Sequence, residues 1–185
     1  MEQEFFDKGL EKAKRKDYAG AVEEFTKALQ VNPELVEAYY QRGLAYYDLG
    51  WIPQAVFDYD EVLKRNSYNV EAYYCRALAR LALKNLPGAL RDVDKTIEIN
   101  PYKAAAYNLR GVVERKLGNI QSAIASFKKA VELYLEQKDA ENAKLCLDKV
   151  KQLQPRKQEV VVNKSVNQTT ALISEQDYFT TLLEK

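Results

Sequence analysis

The groups in this sequence that could carry chemistry are 27 carboxylates, 28 lysines and arginines and two cysteines; histidine is absent. Without histidine, the commonest general base, the commonest metal ligand and every Ser-His or Cys-His nucleophile arrangement are excluded. Cys75 and Cys146 are too far apart for a metal-site spacing and too few for a disulfide scaffold. They read as small apolar residues in a reducing compartment. The carboxylates are dispersed among lysines, as on solvated helix faces, and no glycine-rich phosphate loop follows an apolar strand. Neither a catalytic reaction nor a cofactor or metal is expected.

Charge and hydropathy narrow the partners. The formal net charge is +1, so no general pull toward nucleic acid or anionic lipid operates. A hydrophobic content of 46% supports a core, and 30% charge supports solubility. The start, MEQEFFDKGLEKAKRK, has no apolar run before a cleavage site, and no stretch approaches the length of a membrane span. A cytoplasmic protein with no direct membrane insertion is expected, with another protein as its partner.

A repeat positions these groups. Cut every 34 residues from Glu2, the chain falls into four blocks, 2–35, 36–69, 70–103 and 104–137. Phe5, Tyr39, Tyr73 and Tyr107 share one column, Gly9, Gly43, Ala77 and Gly111 a second, and Ala21, Ala55, Ala89 and Ala123 a third. Phe25, Tyr59, Val93 and Phe127 form a bulky column. Small columns suit close approach of two antiparallel helices, and large ones fill the gaps. Gly50 and Gly118 suit a helix end at positive φ, Pro33 and Pro101 follow a helix and stop it, and Pro53 and Pro87 fit a first helical turn. Each block therefore reads as helix, turn, helix, turn.

The period and the aromatic-Gly-Ala-aromatic-Ala-Pro columns resemble the tetratricopeptide repeat family over residues 2–137. Ser67 replaces an inter-repeat proline, Ala77 takes the small position, and Leu135 in place of the last proline predicts that the last helix runs on. The resemblance implies an all-α, right-handed superhelical solenoid of four helix-turn-helix repeats. Residues 138–155 add a capping helix, with Ala143, Cys146, Leu147, Val150 and Leu153 on one stripe, which covers the last repeat's apolar face. Residues 156–185 read as a polar tail; in 174–184, Tyr178, Phe179, Leu182 and Leu183 suggest a short amphipathic helix after a Ser174–Asp177 capping box.

In this family the first helices line a concave groove that receives peptides or helices, so the resemblance implies a non-catalytic binding module, an adaptor, scaffold or assembly factor. In AYYQRGLAYYDLG, residues 38–50, Tyr39 and Tyr46 occupy packing columns, whereas Tyr40, Leu44 and Tyr47 fall one hundred degrees away and should face the groove. Extended along the repeats, this frame lines the groove with Phe6, Leu10, Tyr40, Leu44, Tyr47, Tyr74, Leu78, Leu81, Leu109 and Val112. The lining suits an apolar or amphipathic ligand. The competing reading is that these side chains only pack in the solenoid or under its tail. A second functional reading makes the chain a self-associating structural protein, a homo-oligomer whose C-terminal segment docks in its own or a neighbour's groove. Some relatives clamp a chaperone's terminal carboxylate with cations; here Phe6, Leu10, Gln41, Glu71 and Cys75 hold those places, and none is a cation. Trp51, at a turn tip, reads as a wedge between repeats.

The family's leucine position carries Lys8, Arg42, Arg76 and Arg110 instead. Pairing with Asp58, Asp60, Asp92 and Asp94 on the second helices is expected, at ~0.5 kcal/mol for each exposed pair. Arg110 faces Ser126 and Lys128 in its own block and should reach back to Asp94.

Overall fold

The computed structural model describes residues 1–154, and all of their regular structure is helical. The tail and its segment 174–184 lie outside the described residues. The first helices of the repeats are α1 (Glu2–Lys14), α3 (Val36–Asp48), α5 (Val70–Ala82) and α7 (Ala104–Lys116). Their second helices are α2 (Tyr18–Val31), α4 (Ile52–Arg65), α6 (Leu86–Ile99) and α8 (Ile120–Glu136), and α9 (Ala140–Leu153) follows.

Short side-chain caps and two kinds of turn set this rhythm. Asp17, Asn69, Asn85 and Asp139 each accept a backbone N–H from three residues on, satisfying one orphan donor at the start of α2, α5, α6 and α9. Inside each repeat the turn needs one left-handed residue. Gly50 and Gly118 supply it at φ 76° and 84°, while Lys16 and Lys84 adopt it at 65° and 60°. Between repeats, the Asn32, Asn66 and Asn100 side chains accept the N–H groups of Glu34, Tyr68 and Tyr102, each at 3.1 Å. This asparagine turn forms whether proline or Ser67 follows, so the missing proline leaves the boundary intact.

Each first helix packs on its own second helix, which packs on the next first helix, and α8 on α9. First helices also meet one another, α1 with α3, α3 with α5 and α5 with α7, so they form the inner wall of the solenoid. The alanine column is wholly buried at Ala21, Ala55, Ala89 and Ala123. A Cβ on Gly9, Gly43 or Gly111 would come within 2.5, 2.8 or 2.7 Å of the ring of Phe25, Tyr59 or Phe127. In the third repeat the partner is Val93, and there Ala77 fits. The departure at Ala77 is thus a paired change in which a smaller neighbour admits one methyl. α8 runs on past Leu135 to Glu136 and buries Val131, Leu133 and Tyr134 with Ala143, Cys146 and Leu147 of α9.

Candidate protein-binding groove and the ladder behind it

The predicted groove residues lie on the first helices, but unequally exposed. Tyr40, Leu44, Tyr47, Tyr74, Leu78, Leu81 and Val112 are half-buried, and Leu10 is 37% exposed. Phe6 and Leu109 are buried. Phe6 sits 5.6 Å from the Phe25 ring, and Leu109 packs among Ala77, Val93 and Val113. Both therefore serve the core, because one turn of helix cannot present every apolar residue to the same side. Val112 joins a cluster with Phe127, Val150 and Leu153, next to the end of α9.

In repeats 2 and 3 an apolar strip remains. Tyr40, Leu44 and Tyr47 pack with Cys75 against the buried Tyr59, and Tyr74, Leu78 and Leu81 pack against the Ala77–Val93 cluster. The Tyr40 ring lies 6.2 Å from that of Tyr59, and its hydroxyl lies 3.8 Å from Cys75 Sγ. Burial raises the pKa of the Tyr40 hydroxyl and the Cys75 thiol above their ordinary values, so both stay neutral and the strip carries no charge of its own. Lys103 Nζ stands 5.0 Å from the Tyr74 ring while bonded to Glu71 at 2.7 Å, giving the lip a fixed cation over an aromatic face. One period after Tyr74 the groove column holds Asn108, whose Oδ1 accepts a 2.7 Å hydrogen bond from Lys149 Nζ of α9. One period after Leu81 stands Arg115, which is exposed.

All four tyrosines of the two pairs are half-buried: Tyr40, Tyr46 and Tyr47 pack in one cluster around Tyr59, and Tyr39 and Tyr40 in the next around Val62 and Leu63. Tyr39 packs with Val62, Leu63 and Ala72, and the Arg65 guanidinium covers its ring at 4.8 Å. Tyr46 contacts Trp51, ring centroids 5.8 Å apart. Trp51 itself is 50% exposed, so it is no wedge between repeats but a turn residue lying on Tyr46.

Away from the groove the arginine column forms a regular ladder. Arg42 grips Asp58 with Nε and Nη2, both at 2.8 Å, and reaches Thr26 at 3.1 Å. Arg76 grips Asp92 in the same fork, at 2.9 and 2.7 Å, and reaches Asp60 at 2.5 Å. Each arginine thus bonds the residue 16 places ahead, on its own second helix, and the residue 16 places behind, on the preceding one. Arg80 adds a bond to Asp92 at 2.8 Å. Asp58 is fully buried, and the Asp92 side chain is 4% exposed. The expectation of exposed pairs is therefore corrected for Asp58 and Asp92, which are sealed between helices and depend on their arginines, whereas the Asp60 and Asp94 side chains are 39% and 48% exposed.

The ends of the ladder differ. Lys8, in the first repeat, pairs with Glu4 of its own helix at 2.7 Å. Arg110 reaches back to Asp94 at 3.1 Å, as its sequence position suggested. With Ser126 in place of an acid ahead of it, the second carboxylate comes from Glu114, 3.3 Å away, which accepts the Ser126 hydroxyl at 2.6 Å. The small residues of this repeat leave a notch of about 240 Å³ lined by Tyr107, Arg110, Glu114, Ser122, Ser126 and Lys129. The roles of Thr26, Arg80 and Glu114 were not read from the sequence. The available signal was the 16-residue offset behind Arg42 for Thr26, and for Arg80 and Glu114 a shared 12-residue offset to Asp92 and Ser126.

Family profiles described as TPR repeat and tetratricopeptide repeat match residues 9–50, 36–69 and 104–134. With the repeated helix pairs above, the chain belongs to the tetratricopeptide repeat family. A search of curated protein sequences gave no match. Among solved structures it is similar to the MamA protein, at 20% identity over 99% of this chain and 88% of that one, with a TM-score of 0.70. It is also similar to the first TPR of Spaghetti (RPAP3) bound to the HSP90 peptide SRMEEVD, at 26% identity over 63% of this chain and 93% of that one, TM-score 0.62. A third neighbour is the TPR2B domain of yeast Sti1 in its pHsp70 complex, at 24% identity, 64% and 94% coverage and a TM-score of 0.61. No helix among the described residues is long and apolar enough to cross a membrane.

Proposed function

We propose that this chain is a non-catalytic protein-interaction module that binds an apolar or amphipathic helix or peptide of another protein along the inner wall of its first helices. The observation that carries this reading is the uncharged, half-buried strip of Tyr40, Leu44, Tyr47, Tyr74, Leu78 and Leu81. Aromatic anchors beside leucines, with tyrosine hydroxyls as polar handles, match a ligand presenting apolar residues at helical spacing. Two neighbours of the same fold are peptide complexes, which supports the use of such a wall for peptides. The chemistry differs from a carboxylate clamp, since Phe6, Leu10, Gln41, Glu71 and Cys75 offer no cation at those places.

The test is selection of helical peptides from a displayed library, followed by titration against variants. Tyr47→Ala and Leu81→Ala should each weaken the selected peptide by about tenfold or more. Phe57→Ala, on a second helix and 57% exposed, should leave binding unchanged. Binding weakened by Phe57→Ala and untouched by the two groove variants would remove the groove assignment.

A further inference from the structure

The groove ends where the described chain ends. Leu153 closes α9 and packs in one cluster with Val112 of the groove column, and Lys149, one turn earlier, bonds Asn108 in the same wall. The chain beyond Gln154 therefore starts beside the fourth repeat's end of the groove. Along the groove the chemistry changes from apolar in repeats 2 and 3 to basic in repeat 4. There Arg115 takes the column of Tyr47 and Leu81, and Lys149 borders Asn108.

The chain's last residues carry the complementary order. Reading from the side of α9, Glu175 and Asp177 come first, and Tyr178, Phe179, Leu182 and Leu183 come next at spacings that share one helical face. Resting on the reading that the groove takes an amphipathic helix, we propose that its resident occupant is residues 174–184 of the same chain. Docked in cis, with its acids toward Arg115 and Lys149 and its aromatic face on Tyr47, Leu78 and Leu81, this segment must be displaced by another protein. Length permits it. Residues 155–173 span at most about 65 Å when extended and about 28 Å even if wound as a helix. The first helices of neighbouring repeats are separated by only ~10 Å. Tethering also sets an effective concentration of about millimolar, so cis docking outcompetes a second copy at micromolar protein.

The full chain carrying a photoreactive benzoylphenylalanine at Phe179 tests the geometry at micromolar concentration. A monomeric product joining position 179 to α3 or α5 is expected. A product of dimer mass, a link to α2, α4 or α6, or no link would overturn the proposal. A labelled peptide of residues 172–185 should bind a Phe179→Asp/Leu182→Asp full chain at least about tenfold more tightly than the unaltered chain; equal affinity would also overturn it. The library-selected peptide separates the two readings. If it binds both chains equally through Tyr47, self-occupancy falls and the groove stands; if no peptide depends on Tyr47, both fall.

Discussion

The inner wall of repeats 2 and 3 and the seam behind it invert the usual placement of polarity. Behind the first helices, Asp58 and Asp92 are buried and gripped by arginine forks, whereas Tyr40, Leu44, Tyr47 and Tyr74 on the inner wall keep apolar surface toward solvent. A fork of fixed geometry that bonds residues 16 places away on both sides specifies register between repeats, which an apolar contact of equal area would do less sharply. The apolar surface is thereby left to a wall that the seam already holds in place. A solenoid can expose such a wall because each repeat relies only on its neighbours for stability.

Breaking the seam should have the largest effect. Asp92→Ala removes the fork acceptor of Arg76, leaving it Asp60 alone, and takes the 2.8 Å partner from Arg80, so it should lower unfolding free energy by about 3 kcal/mol in urea titration. Lys8→Ala, at the first rung where both side chains of the Lys8–Glu4 pair are exposed, should cost far less. Equal costs would show that the ladder does not act as a buried network.

Next comes the close contact between the two helices of one repeat. Gly43→Ala places a methyl within 2.8 Å of the Tyr59 ring and should cost ~1–3 kcal/mol. Combining it with Tyr59→Val imitates the Ala77–Val93 pair of the third repeat, and the double variant should lose less than the sum of the single losses. Additive losses in thermal unfolding would deny that the two columns vary as a pair.

This pairing also marks what sequence could carry. The helix pairs, their order and the small-on-large columns were legible because a 34-residue period repeats each packing decision, so Ala21, Ala55, Ala89 and Ala123 report one contact four times. The ladder was half legible. Acid and base columns were visible, but their burial was not, because Asp58 looks like any helix-surface acid until α4 is packed between its neighbours. The wall was least legible: Phe6 and Leu109 share the apolar type of Leu10 and Val112, and only the local rotation and the neighbouring helix decide which are covered. Trp51 was misread for the same reason, since no repeated column constrained a residue at a turn tip.

On the inner wall the expected effects separate binding from folding. Tyr47→Ala should reduce capture of a selected helical peptide by about tenfold with at most ~1 kcal/mol lost in stability, since its ring is half-buried. Tyr40→Ala should reduce both, because its ring meets Tyr59 and its hydroxyl sits by Cys75. Should Tyr40→Ala leave the melting temperature unchanged, its assigned contacts carry little weight and the two tyrosines are equivalent.

The smallest effect distinguishes two acids of one column by pH. Glu24 is held below its ordinary carboxyl value of 4.5 by hydrogen bonds from Lys27 at 2.8 Å and Lys12 at 3.1 Å. Asp58 is pushed above its ordinary 3.8 by burial, against the opposing pull of Arg42. A folded value below the unfolded one means that Glu24 contributes stability above pH 4.5, which is lost as pH falls through its folded value. For Asp58 the sign reverses: the fold takes up a proton more readily than the open chain, so acidification withdraws nothing there, and its contribution is lost as pH rises. Between pH 5 and 3, Glu24→Gln should therefore flatten the fall in stability, by no more than one proton's slope of ~1.4 kcal/mol per pH unit. Asp58→Asn should instead steepen the fall, though it lowers stability throughout. If denaturation profiles show Asp58→Asn flattening it as Glu24→Gln does, the Arg42 fork outweighs burial, and the seam is held by net ionic attraction.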